Sequence, residues 1–445
     1  MQRRPNYHRH VDIRPSLRTH ALNAFLRIAT RKRLTPDTDV GALRQQFEAL
    51  DARHFRLPRE VTRTAVDLGG VAAEWISVPE SRPERVLVYL HGGSFAFRFP
   101  NAHAGLAARI CRQLRARALI PDYRLAPEHP YPAAPDDCHA VYRALLGAGH
   151  RPRDLVLIGD SAGGNLALVT LHRVRVAEEP FPACAVLLSP ALDCTMTSPS
   201  MAAFDGADPM LALANLLVLR RFYVPSPILY TDPEVSPLFA SFDGFPPLLL
   251  QAGETEMLRD EAIRAAERAD EAGVDVELEL WPGVPHGFQV AGFLPEATLA
   301  IRHIARFVRM RTGWGEGVGD PPTASPSQPP PPPPPEPRTL TRSGWARAAA
   351  FAKSCRVPED ARDRGQKSRR GNQNFQETPT AGAGVDTVSG RRGRGPRARR
   401  RRRRVASSRR RHDGVGARCP ARRSRSRRRR GHGSSVGRRR AQVAP

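Results

Sequence analysis

An apolar run from Leu155 to Ile158 leads into Gly159-Asp160-Ser161-Ala162-Gly163-Gly164-Asn165 and out into a helical pattern. No other stretch restricts the fold so strongly. A serine wedged between small residues at a strand-to-helix turn is a nucleophile elbow. The sharp turn forces the serine into a strained backbone conformation, and the flanking glycines avoid clashes with neighbouring strands and helices. The hydroxyl stands clear of the sheet, and the following helix aims its free N–H groups and positive dipole end at the same point. A serine so placed needs a base, an acid and donors for an oxyanion, and the rest of the chain has to supply them.

From Arg85 onward, short apolar runs alternate with helix-length segments. Strands are predicted at 86–90, 118–121, 155–158, 184–188, 248–251 and 276–281, and helices at 102–114, 134–146, 165–176, 260–271 and 295–308. This alternation predicts an α/β fold with a mostly parallel central sheet and helices on both faces. In such sheets function gathers at the carboxyl ends of the strands. Residues 62–79 alternate polar and apolar around Gly69-Gly70 and read as a hairpin entering the sheet. Residues 1–60 carry basic amphipathic helical patterns, expected to lay their apolar faces on the protein as a cap over the site rather than on a membrane. The catalytic domain is placed at 61–314. Within it, 190–243 is irregular, with one helix near 211–222, and reads as a lid.

Charge separates the last part of the chain from the rest. Residues 315–445 hold 34 of the 70 Lys+Arg and 9 of the 44 Asp+Glu, leaving 36 and 35 in residues 1–314. The net charge of +26 is therefore almost wholly the tail's, and the first 314 residues give no sign of nucleic-acid binding. The tail, with its Pro329–Pro335 run and arginine blocks at 399–404 and 427–430, lacks the apolar surface to offset its ordering entropy and is expected to be disordered. Its composition is that of a GC-rich gene read in a shifted frame or past its stop. It predicts only salt-sensitive, sequence-independent attraction to polyanions and no specific nucleic-acid partner. Six cysteines without a CxxC pair point to a reduced, cytoplasmic setting. No stretch approaches the ~18 apolar residues of a transmembrane segment.

The partners of the serine are found on either side of it. His91-Gly92-Gly93-Ser94-Phe95 follows the strand 86–90, about seventy residues before Ser161. Glycines there let backbone N–H groups turn inward, so Gly92 and Gly93, joined by the N–H of Ala162, are expected to form an oxyanion hole. For the base, His286 lies in a proline- and glycine-punctuated loop after the last strand, where a side chain can be presented to a neighbouring strand end. The other histidines fall in the N-terminal arm, within helices, at the opposite sheet edge or in the tail. The acid should come between them in chain order. Glu254, Glu256 and Asp260 all stand in the loop after strand 248–251, and Glu256 is favoured with the other two left open.

Four motifs together, His91-Gly92-Gly93, Asp122-Tyr123-Arg124-Leu125-Ala126-Pro127-Glu128-His129-Pro130, Gly159 to Gly164 and Pro285-His286-Gly287-Phe288, resemble the hormone-sensitive-lipase-like branch of the α/β-hydrolase superfamily, bacterial carboxylesterases included. The likeness runs over roughly residues 20–310. It implies the α/β-hydrolase fold and a Ser161-His286-Glu256 triad, because Glu256-Met257-Leu258-Arg259-Asp260 matches the family's acid-x-Leu-x-Asp pattern. Ser94 stands where the family usually has a third glycine. The expected activity is a serine carboxylesterase acting on small or medium uncharged esters through an acyl-enzyme, with a small-molecule ester as its partner and no metal or cofactor. A non-catalytic small-molecule receptor on the same fold is the reading from another class, disfavoured because such receptors need not keep the histidine; amidase chemistry is the nearer alternative.

Overall fold

The computed structural model describes residues 8–30 and 33–315. Its strands are β1 (His8–His10), β2 (Thr62–Leu68), β3 (Val71–Ser77), β4 (Val86–Leu90), β5 (Arg117–Pro121), β6 (Leu155–Asp160), β7 (Cys184–Leu188), β8 (Leu248–Gly253) and β9 (Val276–Trp281). They form one sheet in the order β1-β9-β8-β7-β6-β4-β5-β3-β2. β3 runs antiparallel to β2 and to β5, and every other pairing is parallel. The helices are α1 (Leu17–Ala29), α2 (Val40–His54), α3 (Pro100–Leu114), α4 (Ala133–Gly147), α5 (Ala162–Val176), α6 (Pro199–Ala203), α7 (Leu213–Tyr223), α8 (Arg259–Glu271) and α9 (Pro295–Thr312).

The side chains of β6 alternate between two cores. Leu155 and Leu157 join Leu166 and Leu171 of α5 and Leu145 of α4 on one face. Val156 and Ile158 join Ile110 of α3 and Phe307 of α9 on the other. Burial on both faces is why this strand reads as an unbroken apolar run rather than an alternating one. Because β6 pairs with β4 on one side and β7 on the other, its carboxyl end is at the centre of the sheet's edge. The turn that carries Ser161 is thus held by the most buried part of the molecule.

Each strand expected from Arg85 onward is present, and the hairpin turns at Gly69 and Gly70 with positive φ. β1 departs from the expectation of a helical segment 1–60. It adds to the edge of β9 through backbone pairing, continued by the Val11 N–H to the Leu280 carbonyl at 2.9 Å, and such an edge needs no apolar alternation to announce it. α1 and α2 begin at caps, Ser16 accepting from the Thr19 N–H at 3.3 Å and Asp39 from the Ala42 N–H at 2.8 Å. Both lie against loops at the carboxyl edge. Asn23 donates to the Gly283 carbonyl at 2.8 Å, and Arg44 donates to the carbonyls of Ala96 (2.9 Å) and Ala126 (2.8 Å). The Pro- and Arg-rich expectation falls outside the described residues from 316 on. Among the described residues no helix is long and apolar enough to cross a membrane.

Candidate active site

At the end of β6 the chain enters α5 through Ser161, at φ 54° and ψ −119°. A non-glycine residue at such an angle costs about 1–3 kcal/mol, and the surroundings hold it there. The Ser161 N–H donates to the Leu188 carbonyl (2.8 Å), and its own carbonyl accepts from the N–H groups of Gly164 (3.0 Å) and Ala191 (3.1 Å). A Cβ on Gly159 would lie 2.1 Å from the Gly163 oxygen, and one on Gly163 would lie 1.9 Å from the Leu90 oxygen. The turn is that tight because α5 presses its first residues against β4 and β6, and only glycine fits at those two points.

His286 lies in the loop after β9, buried, with Nδ1 3.0 Å from Glu256 Oε2. The other oxygen of Glu256, which is fully buried, accepts the Gly253 N–H at 3.0 Å. Of the three carboxylates open from the sequence, Glu256 alone reaches the histidine. Glu254 turns outward to His10 at 2.7 Å, and Asp260 accepts the Ser200 N–H at 2.8 Å and pairs with Arg259. The loop after β7 links the two halves of the site: Leu188 holds the Ser161 N–H, and Ser189 Oγ accepts the Gly287 N–H at 3.3 Å. Ser161 and His286 are not hydrogen-bonded to each other, and catalytic contacts of this kind often tighten only in the complex with substrate. Burial alone would lower the basicity of His286, but the hydrogen bond and charge of Glu256, backed by the charges of Asp208 and Asp160, outweigh it and hold the imidazole above its ordinary value.

Asp208 was not singled out in the sequence, because it lies in the irregular segment 190–243. Its Oδ2 accepts the Met257 N–H at 3.0 Å, and its Oδ1 accepts those of Met210 (2.8 Å) and Leu211 (2.9 Å). It therefore clamps the residue after Glu256 to the segment that leads into α7. Asp208→Asn is expected to lower kcat/KM by about tenfold and to move the acid limb of its pH profile to lower pH, since one of the charges favouring the imidazolium is removed. A profile with its limb unmoved would leave Asp208 a purely structural clamp.

The loop after β4 corrects one expectation. The Gly92 N–H donates to Asp160 Oδ1 at 2.9 Å and is not available to a substrate oxygen. Asp160 is buried and also accepts the Tyr89 hydroxyl at 2.7 Å, with His103 Nε2 3.6 Å away; burial raises its pKa, but His103 and Tyr89 outweigh this and hold it below the ordinary carboxylate range. The elbow's own aspartate thus anchors the first glycine of the loop. The Gly93 carbonyl accepts from the N–H groups of Ala96 (3.0 Å) and Phe97 (2.8 Å), which folds the loop so that Ser94 takes φ 54°. The N–H groups of Gly93 and Ser94 have no partner among the described residues, and Ser94, Ser161 and Ala162 line one cleft. The signal for Ser94 was its place directly after His91-Gly92-Gly93, where the family that the motifs resemble usually has a third glycine, since a glycine run marks a left-handed backbone.

The Tyr123 to Glu128 run supports this loop from behind. Tyr123 stacks on His91 with ring centres 4.2 Å apart and donates its hydroxyl to the His91 carbonyl at 2.7 Å. The Ala126 N–H donates to the Phe95 carbonyl at 2.9 Å, and Glu128 pairs with Arg44 of α2. His91 itself, buried and beside His103, is pushed down to about 4 and stays neutral.

A hydroxyl raised on a strained turn at the centre of a mostly parallel sheet, with a carboxylate-bound imidazole in the loop after β9, defines the α/β-hydrolase class. Comparison with known proteins agrees and narrows it. Residues 87–290 match a domain family described as having the alpha/beta hydrolase fold. The chain is 36% identical over 287 residues to an esterase of Acinetobacter venetianus, a match covering 64% of this chain and 93% of that protein. It is 37% identical over 254 residues to an acetyl-hydrolase of Streptomyces hygroscopicus, covering 56% and 83% respectively. Among solved structures, an esterase from the bacterial hormone-sensitive lipase family superposes with a TM-score of 0.63 at 36% identity, over 68% of this chain and all of that one. The chain belongs to the hormone-sensitive-lipase-like family of α/β-hydrolases and is a carboxylic ester hydrolase by class.

Proposed function

We propose that the protein is a serine carboxylesterase that hydrolyses small or medium, uncharged esters through an acyl-enzyme on Ser161. The observation that carries this reading is the 3.0 Å contact between Glu256 and His286 at the sheet edge where Ser161 is held in its strained turn. Ser161 Oγ attacks the ester carbonyl carbon while His286 Nε2 takes its proton, and Glu256 stabilises the imidazolium through Nδ1. The carbonyl oxygen, now negative, is held by the N–H groups of Gly93, Ser94 and Ala162. Collapse expels the alcohol, which takes the proton from His286. Water then loses a proton to His286 and attacks the acyl carbon; collapse breaks the bond to Ser161 Oγ, which takes the proton back from His286, and the acid leaves. No step calls for a metal or cofactor.

The names of the relatives, esterase and acetyl-hydrolase, support short acyl groups, and the cleft supports uncharged ones, since its lining is mostly aliphatic and aromatic. In this reading residues 61–314 are the catalytic domain and 1–60 its cap, with α1 and α2 fastened to the loops around the site. The four buried free cysteines of the described chain support a cytoplasmic setting.

A fluorophosphonate probe and a nitrophenyl ester series from acetate to decanoate test the proposal together. The probe should add one phosphonyl group, on the peptide containing Ser161, and kcat/KM should peak at the shorter esters. A ligand held but never consumed, with no adduct on Ser161, would sink the esterase reading in favour of a receptor.

A further inference from the structure

The cleft that opens at Ser94, Ser161 and Ala162 has a second wall that the mechanism does not use, and it includes Glu261, Arg220 and Tyr223. Glu261 and Tyr223 are each only 1% exposed. Oε2 of Glu261 accepts the N–H groups of Leu192 and Asp193, but Oε1 has no partner among the described residues. The Tyr223 hydroxyl and Arg220 Nε are likewise buried without one. All three residues line the cleft together with Cys194. Buried polar groups are nearly always hydrogen-bonded, so three open ones on residues that line the same cleft call for a partner.

Their chemistry specifies that partner. Burial, reinforced by Asp193, pushes the Glu261 carboxyl up to about 8 despite its two backbone hydrogen bonds, so at neutral pH it is a neutral acid that can donate or accept. Tyr223 can also do either, and Arg220 Nε only donates. A hydrocarbon chain would leave all three unpaired. An anionic group would meet Arg220 but also the buried carboxylate of Asp193, which lines the same cleft. A hydroxyl, which accepts and donates at once and carries no charge, satisfies the set.

We propose that Glu261, Tyr223 and Arg220 form a hydroxyl-recognising subsite, which selects esters bearing a free alcohol group over hydrocarbon esters of the same size. This rests on the esterase reading and adds the substrate class to it. A site built around a hydroxyl rejects the analogue that lacks it, because its own polar groups are then stranded.

The test pairs each hydroxy ester with the isostere in which a methyl group replaces the hydroxyl, and follows acid release by titration. One arm places the hydroxyl on the acyl chain, as the β- and ω-hydroxyhexanoate methyl esters. The other places it on the alcohol, as the monobutyrate of butanediol. In at least one arm the hydroxy ester should have a kcat/KM about tenfold above its isostere. In Tyr223→Phe, which deletes only an unpartnered oxygen, that ratio should fall at least about threefold; because it is a ratio, a general loss of activity cancels. A wild-type ratio near one in both arms, or a ratio indifferent to Tyr223→Phe, overturns the subsite and leaves the esterase standing. Failure to turn over any ester, hydroxylated or not, overturns the esterase reading and the subsite with it.

Discussion

Replacing Ser161 by alanine is expected to lower kcat for a short-chain nitrophenyl ester by about 10⁶-fold, with the fold intact. The size of the loss follows from the role: without Oγ there is no acyl-enzyme, and His286 has no alcohol to deprotonate. What remains is the binding and oxyanion stabilisation of the cleft, about 10³–10⁴-fold over water in other serine hydrolases. The fold should not suffer, because Ser161 Oγ has no hydrogen-bond partner among the described residues, and the turn is held by backbone contacts to Leu188, Gly164 and Ala191. Ser161→Gly separates chemistry from strain. It removes the same nucleophile but relaxes the φ of 54°, so it should raise the unfolding free energy by about 1 kcal/mol over Ser161→Ala, read from denaturant midpoints. A variant within about a hundredfold of wild type would mean that another group attacks the ester.

The readability of this chain differs from element to element for physical reasons. β4 and β7 were legible because burial on both faces leaves an unbroken apolar run in each, and β6 and β8 because each opens on one, at 155–158 and 248–250. The elbow was legible because the approach of Gly163 to the Leu90 oxygen permits no Cβ. β1 was not, since an edge strand pairs through its backbone and asks nothing of its side chains. Asp208 and the Glu261 wall were hidden for a different reason: they depend on contacts across about fifty to seventy residues, between the irregular segment and the loop and helix after β8. Chain order alone could not separate Glu254, Glu256 and Asp260, because all three follow β8 within seven residues, the first two in the turn and the third at the start of α8, and only the direction in which each side chain leaves the backbone distinguishes them. Gly92 misled for a related reason. A glycine allows an N–H to face the reaction centre but does not oblige it to, and here the elbow's own Asp160 claims that hydrogen.

Glu256→Gln should reduce kcat/KM by about 10⁴-fold, although it changes neither the length nor the shape of the side chain. In the wild type one carboxylate oxygen accepts the Gly253 N–H and the other faces His286 Nδ1. Glutamine has a single oxygen, and the Gly253 N–H requires it. Its NH₂ group is then turned toward Nδ1, which must become an acceptor, and the imidazole proton moves to Nε2. The nitrogen that should receive the serine proton now carries one. The pH profile carries a second signature. A raised His286 pKa places the acid limb of wild-type kcat/KM above the ordinary ~6.5, activity rising as the base loses its proton. The variant loses the hydrogen bond and the charge that opposed burial, so its limb should move to lower pH. Stability follows the same linkage with its own sign. A histidine whose folded pKa is raised contributes stability that is fully present below its unfolded value of ~6.5 and is lost as pH rises through the folded value. The wild type's advantage over the variant in urea midpoints should therefore shrink from that value upward. A rate loss of 10⁴ with an unmoved acid limb would place the pair's effect in orientation alone and remove the charge of Glu256 from the account.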